Sequence, residues 1–257
     1  MSIELAMPTL LGLLLGSVRS AAWLMVSPPF ATRTIPGVVK ATLAVALALP
    51  VASRIGPSIP ELSTGALITA VVLQVVTGAA LGFVTYLLFA AIQAAGDLID
   101  LFGGFTLAQA YDPMSMVQSS IFGRFHQLLG LVLLFVTDAH LVIVSGFLRS
   151  YDAIPVTGSV AMDANADAVL NGMGQFFMAA LEIAAPMVAV LFLADIALGL
   201  LTRVSPQLNA FAMGFPVKIF LTLALIGFTF PLLPGIVEGL SDSSADAVLS
   251  LFGGGSS

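Results

Sequence analysis

The feature that most constrains this chain is a run of 35 residues without a charge, Leu62–Gly96. A helix rises about 1.5 Å per residue, so about 20 apolar residues cross the ~30 Å hydrocarbon core of a bilayer. A second uncharged run, Ile219–Val237, is also long enough. Only 9% of the 257 residues are charged and 59% are hydrophobic, whereas soluble domains have about 25% charged residues. The sequence therefore predicts an all-α protein that crosses a membrane several times.

About six apolar helical segments are predicted, separated by residues that end helices. They are Leu5–Val26, Val38–Ala52, Leu62–Ala95, Phe125–Leu148, Met173–Leu201 and Ile219–Val237. The third segment would run ~51 Å as one helix, so we expect it either to break near Gly78 or to project beyond the lipid. Between the fourth and fifth segments, Arg149–Val169 is interpreted as a polar connector.

The chain is interpreted as one membrane domain, residues 1–240. Residues 241–257 are interpreted as a short amphipathic helix followed by a Gly/Ser tail. The amino-terminal region carries Glu4 where a signal peptide would have Lys or Arg, and we therefore interpret it as a retained first helix, not a signal peptide.

Charge and cysteine content exclude several classes of protein. The net charge is −6 and the sequence contains no basic cluster, which argues against nucleic-acid binding. There is no cysteine, so disulfides and cysteine-ligated metals are excluded. No phosphate-binding loop or nucleophile elbow is present. The sequence predicts no enzymatic activity, no catalytic residue and no cofactor.

The few ionisable residues in the apolar segments are candidates for pairing or for proton transfer. In Met173–Leu201, thirteen Leu, Ile, Val and Phe residues favour insertion by about 4–8 kcal/mol, which Glu182 and Asp195 offset by about 5–7 kcal/mol. This segment is therefore expected to be stable only when protein surrounds it. For Asp195 we expect pairing with Arg203 or with a partner's backbone. A proton relay through Asp195 and Glu182 is the alternative.

The two histidines, His126 and His140, are 14 residues apart. On one helix they would be separated by ~21 Å, too far to share a metal ion. We therefore predict no metal site, and expect both rings to pack as polar groups between helices. A proton-coupling role for either histidine stays open.

Two pairs of glycines have the spacing of helix-packing motifs. Gly12 and Gly16 share one face of the first helix, and Gly78 and Gly82 share one face of the third. Glycines four residues apart let the backbones of two membrane helices approach closely. The alternative is a chance spacing in a chain rich in glycine and alanine.

A loop at about residues 103–118 is unusually apolar. Gly103 and Gly104 permit a bend after the third segment, and Asp112-Pro113 ends any helix that follows. The predicted plug or gate residues are Phe105, Leu107, Tyr111, Met114, Met116 and Val117. Methionine re-packs readily into irregular gaps, and hydrophobic constrictions exclude water and ions. The alternative is an ordinary re-entrant or interfacial segment.

The stretch Ser205–Lys218 interrupts the apolar sequence with prolines and amides. The simplest interpretation is a turn between two helices. The alternative is a shaped break, in which side-chain amides satisfy backbone groups that the break leaves free. The residues assigned to this break are Pro206, Gln207, Asn209, Gly214 and Pro216.

Three stretches of the sequence carry a family resemblance. Arg203–Ile219, RVSPQLNAFAMGFPVKI, resembles the signature of the FliR family, the R subunit of the flagellar type III export gate. Val26–Pro50 and Leu81–Pro113 are similar to that family's segment after the first helix and its third helix with the following loop. The resemblance covers about residues 15–240. The chain departs from the family pattern at Asp100 and at Leu101–Gly104.

The resemblance implies a fold, partners and a location. A member would resemble a P subunit fused to a Q subunit and would close a pseudo-helical cone built with FliP and FliQ, beside FlhB and FlhA. Its place would be the bacterial inner membrane, within the flagellar basal body. Unfolded flagellar proteins would pass through the centre, driven by the proton-motive force. The loop after the third segment, here Phe105 to Val117, would seal the closed channel.

Other functions are distinguishable alternatives. A virulence injectisome has a homologous T subunit. An independent small-molecule transporter would need a midplane binding site between matching halves, and the sequence contains no such repeat. An intramembrane hydrolase would use Asp195, Glu182 or a histidine. The predicted function is thus a non-enzymatic, pore-forming export-gate subunit.

Overall fold

The computed structural model describes residues 3–28, 30–32, 34–59, 63–106, 120–156, 162–205 and 210–250. Within these ranges the chain is helical and contains no β-strand. The α-helices are α1 Ile3–Val26, α2 Gly37–Ile55, α3 Thr64–Gly103, α4 Ile121–Val136, α5 Ala139–Ala153, α6 Met162–Val204, α7 Ala210–Leu225 and α8 Leu233–Ser250. Short 3-10 helices cover Gly56–Ser58 and Ile226–Leu232.

The predicted class, an all-α membrane protein, is confirmed. In the described part of the chain, five helices are long and apolar enough to cross a membrane, or six if α4 and α5 count as one broken span. Much of their apolar surface is not covered by the chain itself. In the apolar window of Gly172–Val204, for example, only 22% of the window is buried within the chain. Lipid or other proteins must cover the rest.

Two predicted segments differ from the helices observed. The third segment does not break near Gly78, because α3 is one helix of 40 residues, ~60 Å long. The fourth segment is not one helix. It ends at Val136, and Asp138 adopts the left-handed conformation (φ 57°) before α5 begins. Aspartate tolerates that conformation better than most residues, so the interruption falls on a compatible side chain.

Other boundaries also shift. The predicted polar connector Arg149–Val169 is helical over its first residues in α5 and its last residues in α6. The sixth segment is divided among α7, a 3-10 helix and α8, with Pro231 inside the 3-10 helix. Proline lacks an amide hydrogen and clashes with the preceding turn, so a regular α-helix is disfavoured there. Finally, α8 crosses the predicted boundary at residue 240 without interruption.

The chain divides into two compact units. Unit 1 contains residues 1–88, 138–173 and 240–257, and unit 2 contains residues 89–137 and 174–239. The core of unit 1 is centred on α1, whose Leu15, Trp23 and Leu24 are at most 1% exposed. Trp23 stacks on Phe147 of α5, with ring centroids 4.4 Å apart.

Small residues bring the backbones in unit 1 together. A Cβ added to Gly12 would lie 2.7 Å from the Ala52 oxygen of α2, and one added to Gly78 of α3 would collide with the Arg19 oxygen of α1. The carboxyl-terminal half of α8 joins the same unit. Thr85 of α3 and Ser244 of α8 hydrogen-bond at 3.2 Å, deep in the core.

Unit 2 is built on the end of α3. Gly96 lies directly against the Phe122 oxygen of α4, and Gly130 of α4 lies against Ile92. Helix α6 contributes Ile183 and Leu191, both fully buried. A contact between backbones at Gly96 therefore holds the end of α3 against the start of α4, and the Ile92 side chain packs on Gly130 further along α4.

We expect Gly78→Ala to destabilise unit 1. The new methyl group would meet the backbone of α1, which cannot rotate away, at a cost of about 1–3 kcal/mol. Gly65→Ala is the matched control in the same helix, because nothing lies within 4 Å of its added Cβ. Alanine is favoured in helices by up to about 1 kcal/mol, so the control should be neutral or slightly stabilising.

The measurement is unfolding of the purified protein in detergent, followed by the fluorescence of Trp23, the only tryptophan. Equal stability of the two variants would contradict close contact between α1 and α3.

Candidate functional site

Arg19 lies in the carboxyl-terminal half of α1 and is fully buried in unit 1. Its Nε donates to Gln74 Oε1 of α3 at 2.6 Å. Nη1 donates to the Ser150 oxygen at 3.2 Å, and Nη2 donates to the Ile154 oxygen at 3.1 Å. One guanidinium group thus connects α1, α3 and the end of α5.

The acceptors around Arg19 are neutral. Ser150 and Ile154 stand at the carboxyl end of α5, where carbonyl groups lack helical partners and the helix dipole favours a cation. The guanidinium carbon lies 4.4 Å from the centroid of the Tyr151 ring, a cation–π contact. Neither ion pair found among the described residues includes Arg19. Dipoles and an aromatic face therefore balance this buried charge.

A second layer of hydrogen bonds fixes these acceptors. Gln74 Nε2 donates to the Val156 oxygen at 2.7 Å. Tyr151 donates from its hydroxyl to the Gly16 oxygen at 2.7 Å and lies 3.0 Å from Ser20 Oγ. This polar network is buried. In an apolar setting, each of its groups that lacked a partner would cost folding free energy. We infer that it positions α5 on α1.

The four predicted packing glycines all lie at close contacts in unit 1. Gly12 and Gly16 face α2, and a Cβ on Gly16 would be 3.2 Å from Ala48 Cβ. Gly78 and Gly82 face α1, and a Cβ on Gly82 would be 3.0 Å from the Trp23 oxygen. These contacts bring the Arg19 side chain within reach of its acceptors.

Acidic side chains meet the first turn of α4 in unit 2. Asp100 is fully buried, and its Oδ2 accepts hydrogen bonds from Ser120 Oγ and, at 3.1 Å, from the Phe122 amide. Asp97 Oδ1 lies against Gly123, at a position where a Cβ would collide with it. Helix amino termini favour negative charge, so this turn suits a carboxylate.

His126 lies one turn further along α4 and is also fully buried. Its Nδ1 is 2.8 Å from the Phe122 oxygen. His126 and His140 occupy different helices, so the separation expected for two residues on one helix does not apply to them. Among the described residues, no group of three or more His, Asp or Glu side chains could hold a metal ion.

Asp195 pairs with Lys218, not with Arg203 as the sequence had suggested. Lys218 lies in α7, and its ammonium group contacts Asp195 Oδ1 of α6. The Asp195 side chain is 44% exposed and that of Lys218 is 19% exposed. Glu182 is exposed on α6. No contact links Glu182 to this pair within the described part of the chain.

The predicted gate and break residues are only partly described. Phe105 packs edge-on against Phe122, with ring centroids 5.2 Å apart, and Gly104 has a positive φ of 84°. Outside the described residues lie Leu107, Tyr111, Met114, Met116, Val117, Pro206, Gln207 and Asn209.

The later part of the predicted break is helical. Gly214 and Pro216 lie inside α7, which begins at Ala210, so Pro216 does not bound the break. A Cβ on Gly214 would be 3.5 Å from Leu198, an ordinary contact. Proline in a membrane helix is tolerated where neighbouring groups satisfy the freed carbonyl.

Comparisons with known proteins bear on this helical architecture. The family described as "Bacterial export proteins, family 1" matches residues 10–244. The flagellar biosynthetic protein FliR of Escherichia coli is 31% identical over 87% of this chain and 85% of its own length. FliR of Bacillus subtilis is 31% identical over 83% of each chain. FliR of Pectobacterium carotovorum is 30% identical over 91% of this chain and 90% of its own length.

The chain belongs to the FliR family. The predicted family is therefore confirmed, and the match covers nearly the whole length of the chain. Sequence reasoning did not identify Arg19, Gln74, Tyr151 or Asp100 as members of buried networks. An ionisable residue within a span was the signal available for such sites.

We expect Arg19→Lys to destabilise unit 1 by about 2–4 kcal/mol. Lysine keeps the charge but cannot place donors on Gln74, Ser150 and Ile154 together, and buried hydrogen bonds to charged groups are worth about 1.5–3 kcal/mol each. Arg54→Lys is the control, since Arg54 is 57% exposed in its 2.8 Å pair with Asp152. An exposed pair contributes less than about 1 kcal/mol.

Trp23 fluorescence during unfolding measures both variants. If Arg19→Lys unfolds like the wild type, the network does not position α5.

Proposed function

We propose that this chain is a non-enzymatic, pore-forming subunit of the flagellar type III protein export gate. In this role it passes unfolded flagellar proteins across the bacterial inner membrane, within the basal body. The observation that carries the proposal is the family match over residues 10–244 of an all-α membrane chain. The relatives reported above are named as flagellar proteins, which favours the flagellar gate over a virulence injectisome.

Assembly with FliP- and FliQ-type subunits, beside FlhB and FlhA, is part of this proposal. Unit 2 supports it with an open apolar groove of about 430 Å³ between α3 and α6. The groove is lined by Leu98, Phe102, Leu181, Ala184, Ala185, Val188, Ala189 and Phe192. Ala185 and Ala189 have the small-xxx-small spacing that lets another helix approach. A helix of a neighbouring subunit would cover this surface.

Sealing of the closed channel is the second part of the proposal. The apolar composition of residues 105–117 supports it, together with the packing of Phe105 on Phe122 at 5.2 Å. Water and ions are excluded where apolar side chains close a narrow lumen. The proposed sealing residues are Phe105, Tyr111, Met114 and Met116, with Leu107 and Val117 beside them.

Co-expression tests the assembly. The tagged chain should co-purify with the FliP- and FliQ-type subunits of its own bacterium as one complex. Deleting its gene should abolish secretion of flagellar subunits into the medium, and the plasmid-borne gene should restore it. A stable chain that purifies alone, while the other two subunits assemble and export without it, would rule out the proposed role.

Ion leakage tests the seal. Replacing Phe105, Tyr111, Met114 and Met116 with alanine should raise the leakage of small ions through the assembled complex in liposomes, because the apolar barrier is lost. Phe228→Ala is the control, since Phe228 is 70% exposed at the outer side of the 3-10 helix. Unchanged leakage through a fully assembled variant would reject the sealing role without affecting the assembly proposal.

A further inference from the structure

The acidic cluster at the first turn of α4 has more hydrogen-bond acceptors than donors. Ser120 Oγ and the Phe122 amide both donate to Asp100 Oδ2. Asp100 Oδ1 and Asp97 Oδ1 are buried and have no partner among the described residues. A buried polar atom without a partner is rare in native proteins and calls for a missing proton, ion or water.

His126 adds a third unpaired acceptor. A backbone carbonyl only accepts hydrogen bonds, so Nδ1 must carry the hydrogen in its 2.8 Å contact with the Phe122 oxygen. The neutral ring then presents Nε2 as a bare lone pair. This atom is buried and has no partner in the described part of the chain. The ring is held against Phe122, whose amide donates to Asp100 Oδ2, so it lies beside the turn of α4 that Asp100 contacts.

The surroundings stabilise one negative charge but not two. The first turn of α4 supplies a hydroxyl, an amide and the positive end of a helix dipole to Asp100. Asp97 is three residues earlier on α3, so the two side chains share one face of that helix. Asp97 Oδ1 and Ser120 Oγ, the donor to Asp100, both lie against Gly123 of α4. Each basic side chain in the described ion pairs lies elsewhere, in Arg54–Asp152 and Lys218–Asp195. Two neighbouring carboxylates in such a setting cannot both ionise easily.

We propose that Asp97 and Asp100 form a buried proton-binding site that holds one proton between the two carboxyl groups. The proton bonds to one of the two unpaired Oδ1 atoms, and the other carboxylate keeps its charge. His126 Nε2 is the nearby base through which the proton can leave or arrive. The site is a feature of unit 2 alone and goes beyond the proposed export function.

A proton fits this site better than a metal ion. Calcium and magnesium take about six or more oxygen ligands, and zinc takes about four ligands. Among the buried side-chain atoms of the described residues, three acceptors without a partner lie here: Asp97 Oδ1, Asp100 Oδ1 and His126 Nε2. The site also has a structural consequence, because Asp100 bonds Ser120 and Phe122. Loss of the proton would place a second charge beside the contact between the end of α3 and the start of α4.

Infrared spectroscopy of the full-length protein tests the proposal. A protonated carboxylic acid has a carbonyl stretch distinct from that of a carboxylate and shifts in heavy water. The wild type should have such a band near neutral pH. Asp97→Asn and Asp100→Asn should each lose it, because the shared proton needs both carboxyl groups. Asp242→Asn, at an exposed position of α8, should retain it.

The outcomes separate the alternatives. Absence of the band in the folded wild type would overturn the proposal. Loss of the band in Asp100→Asn alone would mean that Asp100 is protonated by itself, and would overturn the sharing. Disappearance of the wild-type band on adding sodium or calcium chloride, but not choline chloride, would identify a metal cation site instead. Trp23 fluorescence verifies that each variant is folded, and Asp97→Asn tests the sharing if Asp100→Asn does not fold.

Discussion

The contact on which the rest of unit 1 depends is the close approach of α1 to two other helices. Gly12 and Gly16 admit α2, while Gly78 and Gly82 admit the backbone of α1. Membrane helices gain little from hydrophobic association with each other, since lipid is equally apolar, so close packing and buried hydrogen bonds must supply the stability. At this separation the Arg19 guanidinium reaches acceptors on α3 and α5.

The two buried polar clusters solve opposite problems. Around Arg19, three hydrogen bonds reach the Gln74 side-chain oxygen and two carbonyl oxygens at a helix carboxyl end, so the positive charge is satisfied without a carboxylate. Around Asp100, acceptors exceed donors at a helix amino end, and a bound proton restores the balance. In both units the helix terminus selects the sign of charge that its dipole favours. The sign of each buried charge therefore matches the helix end that it contacts: a cation at a carboxyl end, and a carboxylate at an amino end.

The sequence was informative where periodic or compositional signals are strong. Long uncharged runs predicted the spanning helices, and the Arg203–Ile219 signature predicted the family. Interruptions were harder to predict: Asp138 stops a helix through its backbone conformation, while Pro216 fails to stop α7. The partners of Arg19 are up to 135 residues away along the chain, so no local pattern could identify them. Asp195 likewise pairs with Lys218 and not with Arg203, which is closer to it in the sequence, and no local pattern could predict that choice.

Cysteine cross-linking in membranes tests the close packing of α1 most directly, because the natural chain has no cysteine. Gly16→Cys with Ala48→Cys places the two Cβ atoms 3.2 Å apart. A small adjustment brings them to the separation of about 3.5–4.5 Å that a disulfide needs. Gly16→Cys with Ala46→Cys uses an exposed position on the same helix. We predict rapid oxidation to a disulfide within one chain for the first pair only. Equal cross-linking of both pairs, or none with Ala48→Cys, would contradict the account.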